Sequence, residues 1–327
     1  MDAIRRILLA WSILLGGALV SSPAEAQSWP AKPVKIVVPT SPGGATDALA
    51  RALAARLGDA WHQIVLVEDR PGANQIIGGE YVAKAAPDGY TLIVSDASTY
   101  VINPLLYKHL NYDPLTAFAP ITMLVQVPWV VAVNASLPVH SMQELFDYAR
   151  AKPGVLSYGS FGSGSSVNIC MDYLKQLVHV DITHVPFKGS APALNALLAG
   201  DISMMMVTPQ IVEPHVRTGK LRLLAAATPQ RIPLLPDLPT IAETAVPGYS
   251  AGTWFGMLGP AGIPADVVAK ISADVGAIMS DPRFREEHLS GLWLIPAADT
   301  PREFAEYIKT DSEHWKKLVT ESGVTVD

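Results

Sequence analysis

Cysteine is almost missing from this chain: Cys170 is the only one among 327 residues. A single thiol cannot close an internal disulfide, so the fold rests on packing and hydrogen bonds. Basic clusters are missing too. Lys and Arg number 24 against 30 Asp and Glu, which gives a formal charge of −6. An acidic chain without Lys/Arg runs is a poor match for nucleic acid or for an anionic membrane surface. Catalytic signatures are equally scarce. There is no G-x-S-x-G elbow, no P-loop and no G-x-G-x-x-G after a strand. His62, His109, His140, His179, His184, His215, His288 and His314 form neither H-x-x-x-H nor H-E-x-x-H. A zinc site is therefore unsupported, and nothing implies a cofactor.

Long apolar runs are confined to the start. Arg5 and Arg6 precede Ile7–Val20, an apolar stretch of 14 residues, and Ala24-Glu25-Ala26 is a small-x-small site. This three-part pattern predicts a secretory signal cleaved after Ala26, exposing Gln27. The stretch falls short of the roughly 20 residues that span a bilayer. No Cys stands just after it, so a lipid anchor is not expected. Cleavage leaves 327 − 26 = 301 residues, and the charges removed cancel. A chain of that length predicts two domains.

After the signal, β-branched runs alternate with helical patterns. Val34–Val38, Ile64–Glu68 and Thr91–Ser95 read as strands. Asp47–Leu57 and Gly79–Ala86 read as helices. A second alternation begins with the strand Trp129–Val133 and the helix Met142–Ala151. Leu156–Gly159, Thr183–Phe187, Ile202–Val207 and Leu221–Ala227 read as strands. Val167–Leu177, Ala191–Ala199 and Val212–Thr218 read as helices. Trp254–Leu258 reads as a strand, and Ala265–Ser280 and Pro301–Ser322 as closing helices. Such alternation predicts parallel α/β sheets.

In each half, one strand runs through a small-residue turn into a helix. The turns are Thr40–Thr46 and Ser160–Ser166. A helix N-terminus carries unpaired N–H groups and positive potential, so it accepts a carboxylate or phosphate without Lys or Arg. Glycine lets a ligand approach the backbone closely. Ligands of open α/β sheets sit at the carboxyl ends of the strands, where these turns lie. Two such turns could grip one small anion from both sides; each taken alone reads sooner as an ordinary βα loop.

The other conspicuous residues have structural readings. Cys170 reads as a small buried residue on a helix, Met204-Met205-Met206 as strand core, and Trp254 and Phe255 as core. His184 reads as a satisfied structural histidine. Asp47 reads as a helix-start residue paired with Arg51, one turn on. Lys188, at a strand end, could counter an anion or stand in solvent.

The motifs also occur in a familiar order. They include Trp29-Pro30-x-Lys32-Pro33, Pro42-Gly43-Gly44-Ala45-Thr46-Asp47, Arg70-Pro71-Gly72-Ala73 and Pro87-Asp88-Gly89-Tyr90. Further on come Asn103-Pro104-Leu105-x-Tyr107, Tyr158-Gly159-Ser160-x-Gly162-Ser163-Gly164, Val185-Pro186-Phe187-Lys188-Gly189 and Trp254-Phe255-Gly256. In this order and spacing the chain resembles the Bug family of extracytoplasmic solute receptors of tripartite tricarboxylate transporters.

The resemblance implies an α/β fold of the two-domain periplasmic binding-protein type, a Venus flytrap of type II-like form. Each domain would be a mostly parallel sheet flanked by helices. Residues 27–128 and 250–327 would form domain one and 129–249 domain two, with the chain crossing near Val127–Trp129 and Gly248–Gly252. It also implies a periplasmic, monomeric receptor for a small carboxylate, with membrane transporter subunits as partners. The implied ligand set is Thr40, Ser41, Gly43, Gly44, Ala45, Thr46 and Ser98 from domain one. Domain two would add Ser160, Gly162, Ser163, Gly164, Ser165, Ser166, Asn168, Lys188 and Thr208.

Four places depart from the family pattern. Thr40 stands where an aromatic is common, Asn74-Gln75 where two glycines are usual, and Asn168 where His is frequent. Val207-Thr208 lacks a common Asp. These changes leave the particular ligand open, with a dicarboxylate or aromatic carboxylate favoured. Two rival readings are an exported serine hydrolase using the Ser160–Ser166 loop with His184 as base, and a ligand sensor for a membrane kinase.

Overall fold

The computed structural model describes residues 29–325, so the export signal and its cleavage site lie outside the described residues. The first part of the chain contributes β1 (Val34–Val38), α1 (Ala45–Trp61), β2 (Val65–Asp69), α2 (Ile76–Ala83) and β3 (Thr91–Asp96). A π-helical turn at Ser98–Ile102 leads into α3 (Asn103–Leu106), and then come the long β4 (Phe118–Pro128) and β5 (Val130–Asn134). The middle holds α4 (Met142–Ala151), β6 (Ser157–Ser160), α5 (Ser166–Val178), β7 (Thr183–Pro186), α6 (Ser190–Ala199), β8 (Met204–Val207), α7 (Pro209–Arg217) and β9 (Leu221–Ala226). The chain ends with α8 (Ile241–Thr244), β10 (Gly252–Pro260), α9 (Ala265–Ser280), α10 (Pro282–His288), β11 (Ile295–Pro296) and α11 (Pro301–Ser322).

These strands make two sheets, ordered β11-β4-β10-β3-β1-β2 and β7-β6-β8-β5-β9. Both are mixed, which corrects the expectation of mostly parallel sheets. β1 pairs in parallel with β2 and β3, and β6 with β7 and β8. β10 runs antiparallel to β3 and β4, and β5 antiparallel to β8 and β9. The cause is the route of the chain. β4 leaves the first sheet at Pro128 and continues as β5 in the second, and the return from β9 enters the first sheet as β10. Outgoing and returning segments lie side by side in opposite directions, and Ala227 N–H donates to the Trp129 carbonyl where they meet.

The parallel strands carry apolar residues on both faces, as a sheet covered by helices requires. Val34, Ile36 and Val38 of β1 pack with Leu49, Leu53 and Leu57 of α1. Val37 and Ile93, on the other face, pack with Tyr100, Trp254 and Phe304. In the second sheet, Met204 and Met206 face one apolar cluster and Met205 the other. α11 packs along β4, the π-helical turn and α5, so it touches the first sheet and a helix that packs on the second. Thr300 and Glu303 form a capping box at its start, and Gly323 ends it with φ 68°. Among the described residues no helix is long and apolar enough to cross a membrane.

Candidate functional site

The predicted residues fall into two groups, each on neighbouring strand ends. Thr40 through Asp47 follow β1, and Ser98 follows β3, the strand beside it. Ser160 ends β6 and Gly162 through Asn168 follow it, and its neighbours β7 and β8 lead to Lys188 and Thr208. No hydrogen bond or ion pair joins the two groups among the described residues.

The first loop ends in Gly44, the N-cap of α1, which has no side chain to cap the helix. Ala48 N–H donates to the Gly44 carbonyl, while the N–H groups of Ala45, Thr46 and Asp47 find no acceptor among the described residues. Three donors on one helix turn therefore point out of the strand end, where the helix dipole is positive. Gly43 has φ 86°, a left-handed conformation that favours glycine. Its N–H donates to Asp47 Oδ2 at 2.8 Å, one turn into the helix. Asp47 pairs with Arg51 at 2.7 Å, as the spacing predicts, and Arg51 reaches on to Asp69 at 2.6 Å.

The second loop repeats this geometry with different chemistry. Gly164, φ 75°, donates its N–H to Asn168 Oδ1 at 3.0 Å, again four residues on. Ser165 caps α5 by accepting the Asn168 N–H at 3.4 Å. Ser166 and Val167 N–H groups find no acceptor among the described residues. Asn168 Nδ2 donates to Tyr158 Oη at 2.8 Å and to Asp172 Oδ2 at 2.6 Å, and Lys175 holds Asp172 at 2.8 Å. Burial, reinforced by Asp172, pushes the Tyr158 phenol well above its usual range.

Ser160 is fully buried, with its Oγ 2.6 Å from His184 Nε2, and it accepts the Gly162 N–H at 3.2 Å. His184 stacks on Tyr158 with ring centroids 4.9 Å apart, and burial lowers its pKa. The histidine is thus a structural partner of Ser160. Ser165 Oγ donates to the Gly162 carbonyl at 2.7 Å, and Ser163 is exposed. The rival hydrolase needs a base at Ser163 or Ser165, and the histidine it invokes is engaged elsewhere.

The remaining predicted residues differ in how well they are placed. Ser98 is buried, and its N–H donates to Asp96 Oδ1 at 2.7 Å. Burial raises the Asp96 pKa, while Gln75 donates to its other oxygen at 2.7 Å. Thr208 is the N-cap of α7 without a side-chain cap bond. Lys188 is exposed. The Thr40 hydroxyl is buried and has no hydrogen-bond partner among the described residues.

Three features escaped the sequence reading. Asp69 joins the Asp47–Arg51 pair because strand register sets it beside Val38. Ala73, Asn74 and Gln75 are successive left-handed residues, φ 45°, 49° and 73°. The usual family glycines at 74 and 75 are the signal that could have shown this. Finally, a cavity of about 370 Å³ lies where the chain crosses between the sheets, lined by Gln126, Pro128, Ser250, Trp254, Asp311 and His314 among others. It shares no residue with either loop. Burial pushes Asp311 there up to about 6, although Trp254 Nε1 donates to it at 2.7 Å.

Comparison with known proteins agrees with this architecture. The model of the tripartite tricarboxylate transporter family receptor, TctC, matches residues 49–324. Protein BugT of Bordetella pertussis is 30% identical over 97% of this chain and 98% of its own. Solved structures similar to this chain include these three. Rpa4515 of R. palustris, solved with adipate, has TM-score 0.82 at 35% identity, covering 91% of this chain and 99% of its own. The periplasmic binding protein BugD has TM-score 0.77 at 32% identity, covering 91% and 99%. MatC of Rhodopseudomonas palustris, with bound malate, has TM-score 0.76 at 31% identity, covering 89% and 100%. The chain belongs to the receptor family of the tripartite tricarboxylate transporters, which are periplasmic solute-binding receptors and not enzymes.

Proposed function

We propose that this receptor captures a small dicarboxylate between the two loops and presents it to the membrane subunits of a tripartite transporter. The observation that carries the reading is the pair of helix N-termini with free donors. Ala45, Thr46 and Asp47 offer N–H groups on one side, and Ser166 and Val167 on the other. Two N-termini, one per sheet, suit a ligand with a carboxylate at each end. The relatives solved with adipate and with malate hold dicarboxylates, which supports this class. An aromatic carboxylate, gripped at one end by the first loop, is the second choice.

Binding needs no chemistry. A carboxylate docks on residues 41–46, and closure brings Ser163 to Asn168 onto the same ligand, with Ser98, Lys188 and Thr208 as candidate walls. Residues 27–128 with 250–327 would move as one unit against 129–249. Ligand favours the closed form only through the contacts added there. The receptor would act in the periplasm as a monomer after cleavage near Ala26.

A thermal-shift screen of mono-, di-, tri- and aromatic carboxylates tests the proposal. Dicarboxylates should raise the melting temperature with rising concentration, as preferential binding to the folded state requires. No shift with any carboxylate would refute it.

A further inference from the structure

We propose that Asp69 carries a proton site facing Asp47 beneath the first loop, partly filled in the free receptor, and that carboxylate capture there fills it further. The coupling rests on the carboxylate reading above; the proton pair itself does not.

Among the described residues, four buried side-chain polar atoms lack a hydrogen-bond partner, and three lie at the ends of β1 and β2 or one turn into α1. They are Thr40 Oγ1, Asp47 Oδ1 and Asp69 Oδ1. The Asp47 side chain is only 5% exposed and that of Asp69 16%. Their second oxygens are occupied: Asp47 Oδ2 takes the Gly43 N–H at 2.8 Å, and Asp69 Oδ2 takes Arg51 Nη2 at 2.6 Å. Arg51 Nε lies 2.7 Å from Asp47 Oδ1 but out of line for a hydrogen bond. The two carboxyl groups sit on neighbouring nitrogens of one guanidinium, Asp47 on Arg51 Nε at 2.7 Å and Asp69 on Nη2 at 2.6 Å, which brings them side by side. Without a proton, Asp69 Oδ1 would have no partner and Asp47 Oδ1 only the misaligned Arg51 Nε, which buried groups rarely tolerate. One shared proton satisfies both.

Charge leads to the same assignment. Two carboxylates on one guanidinium carry a net charge of −1 directly beneath the amides that would receive an anion. A proton neutralises it. Other charged groups nearby are engaged elsewhere. Glu68 points to the opposite face of β2, where it pairs with Lys35 and Arg70. Asp96, at the end of β3, is held by Gln75 and Ser98. Burial, with Asp47 next, raises the pKa of Asp69, and Arg51 opposes the shift.

An anion docked on the first loop adds negative charge above the pair and favours its protonated form. By linkage, affinity then falls as pH rises, by at most about tenfold per pH unit. Asp69→Asn mimics the protonated state, because its amide donates to Asp47 while its oxygen still accepts from Arg51.

The test is titration calorimetry with adipate from about pH 5 to about pH 8, in two buffers of different ionisation enthalpy. Wild type should bind several-fold more weakly at the upper end and take up a fraction of a proton. Asp69→Asn should bind with flat pH dependence, close to the low-pH wild-type affinity. A flat wild-type profile without proton uptake, or a variant that keeps the wild-type slope, would overturn the coupling. A second readout needs no ligand. Without adipate, Asp69→Asn should raise the melting temperature at about pH 8 and change it little at about pH 5. If that signature appears but adipate binds at no pH, the coupling falls together with the carboxylate reading while the proton pair stands. If the signature is missing, the proton pair is overturned.

Discussion

The two loops share one backbone plan and differ in how their own polar groups are satisfied. In both, a left-handed glycine donates to a side chain one turn into the following helix: Gly43 to Asp47, Gly164 to Asn168. The second loop closes on itself. Ser165 caps its helix, Ser160 binds His184, and Asn168 ties Tyr158 to Asp172. The first has a glycine cap, three free N–H groups, an unpartnered Thr40 hydroxyl and a crowded carboxyl pair. The comparison teaches that the first loop has more unfilled polar groups than the second; on the proposed reading a ligand completes the first and the second closes on it.

The largest effect should come from blocking the incomplete loop. Gly44 has an ordinary φ of −79°, and a Cβ there would meet only the Ser41 carbonyl, at 3.8 Å. Gly44→Leu should therefore fold normally and lose about 100-fold in carboxylate affinity, whereas Ser163→Leu should lose about tenfold. Calorimetry on both variants checks the order, and equal losses would break the asymmetry.

Stability should show the reverse asymmetry. Asn168→Ala strands the buried Gly164 N–H and the Tyr158 hydroxyl, at a cost of about 2 kcal/mol. Asp47→Ala frees the N–H of exposed Gly43 to water and relieves Asp69, so it should cost less than about 1 kcal/mol. Denaturant unfolding of the two variants measures the difference.

The smallest effect is a pH dependence of opposite sense in the two loops. His184 has a lowered pKa in the fold, so its contribution to stability is present above the ordinary histidine range and is lost as pH falls through it. Asp69 has a raised pKa, so its contribution is present at low pH and is lost as pH rises. Melting curves should show that His184→Asn flattens the acid side of the profile and Asp69→Asn the basic side.

Much of this was legible in the sequence, where local chemistry decides structure. Thr300, Pro301 and the glycine at 323 fix both ends of α11, and its predicted span agrees with the observed one. The turn residues after β1 and β6 marked both candidate loops. Burial of Cys170, Met204–Met206, Trp254 and Phe255 followed from their neighbours. What stayed hidden depends on strand pairing. β4 carries Pro120 and Pro128 and lacks alternation, yet it lies along β10 with register shifts that absorb the misfit. α2 begins at Ile76, ahead of the expected Gly79, because the left-handed residues before it turn the chain early. Asp69 reaches Asp47 only through the β1–β2 register, which residue spacing cannot reveal.

Amide hydrogen exchange on the receptor saturated with its best dicarboxylate tests the two-loop grip most directly. Protection should rise together at Ala45–Asp47 and at Ser166–Val167, the two sets of free donors. Protection confined to one set, or to neither, would contradict it.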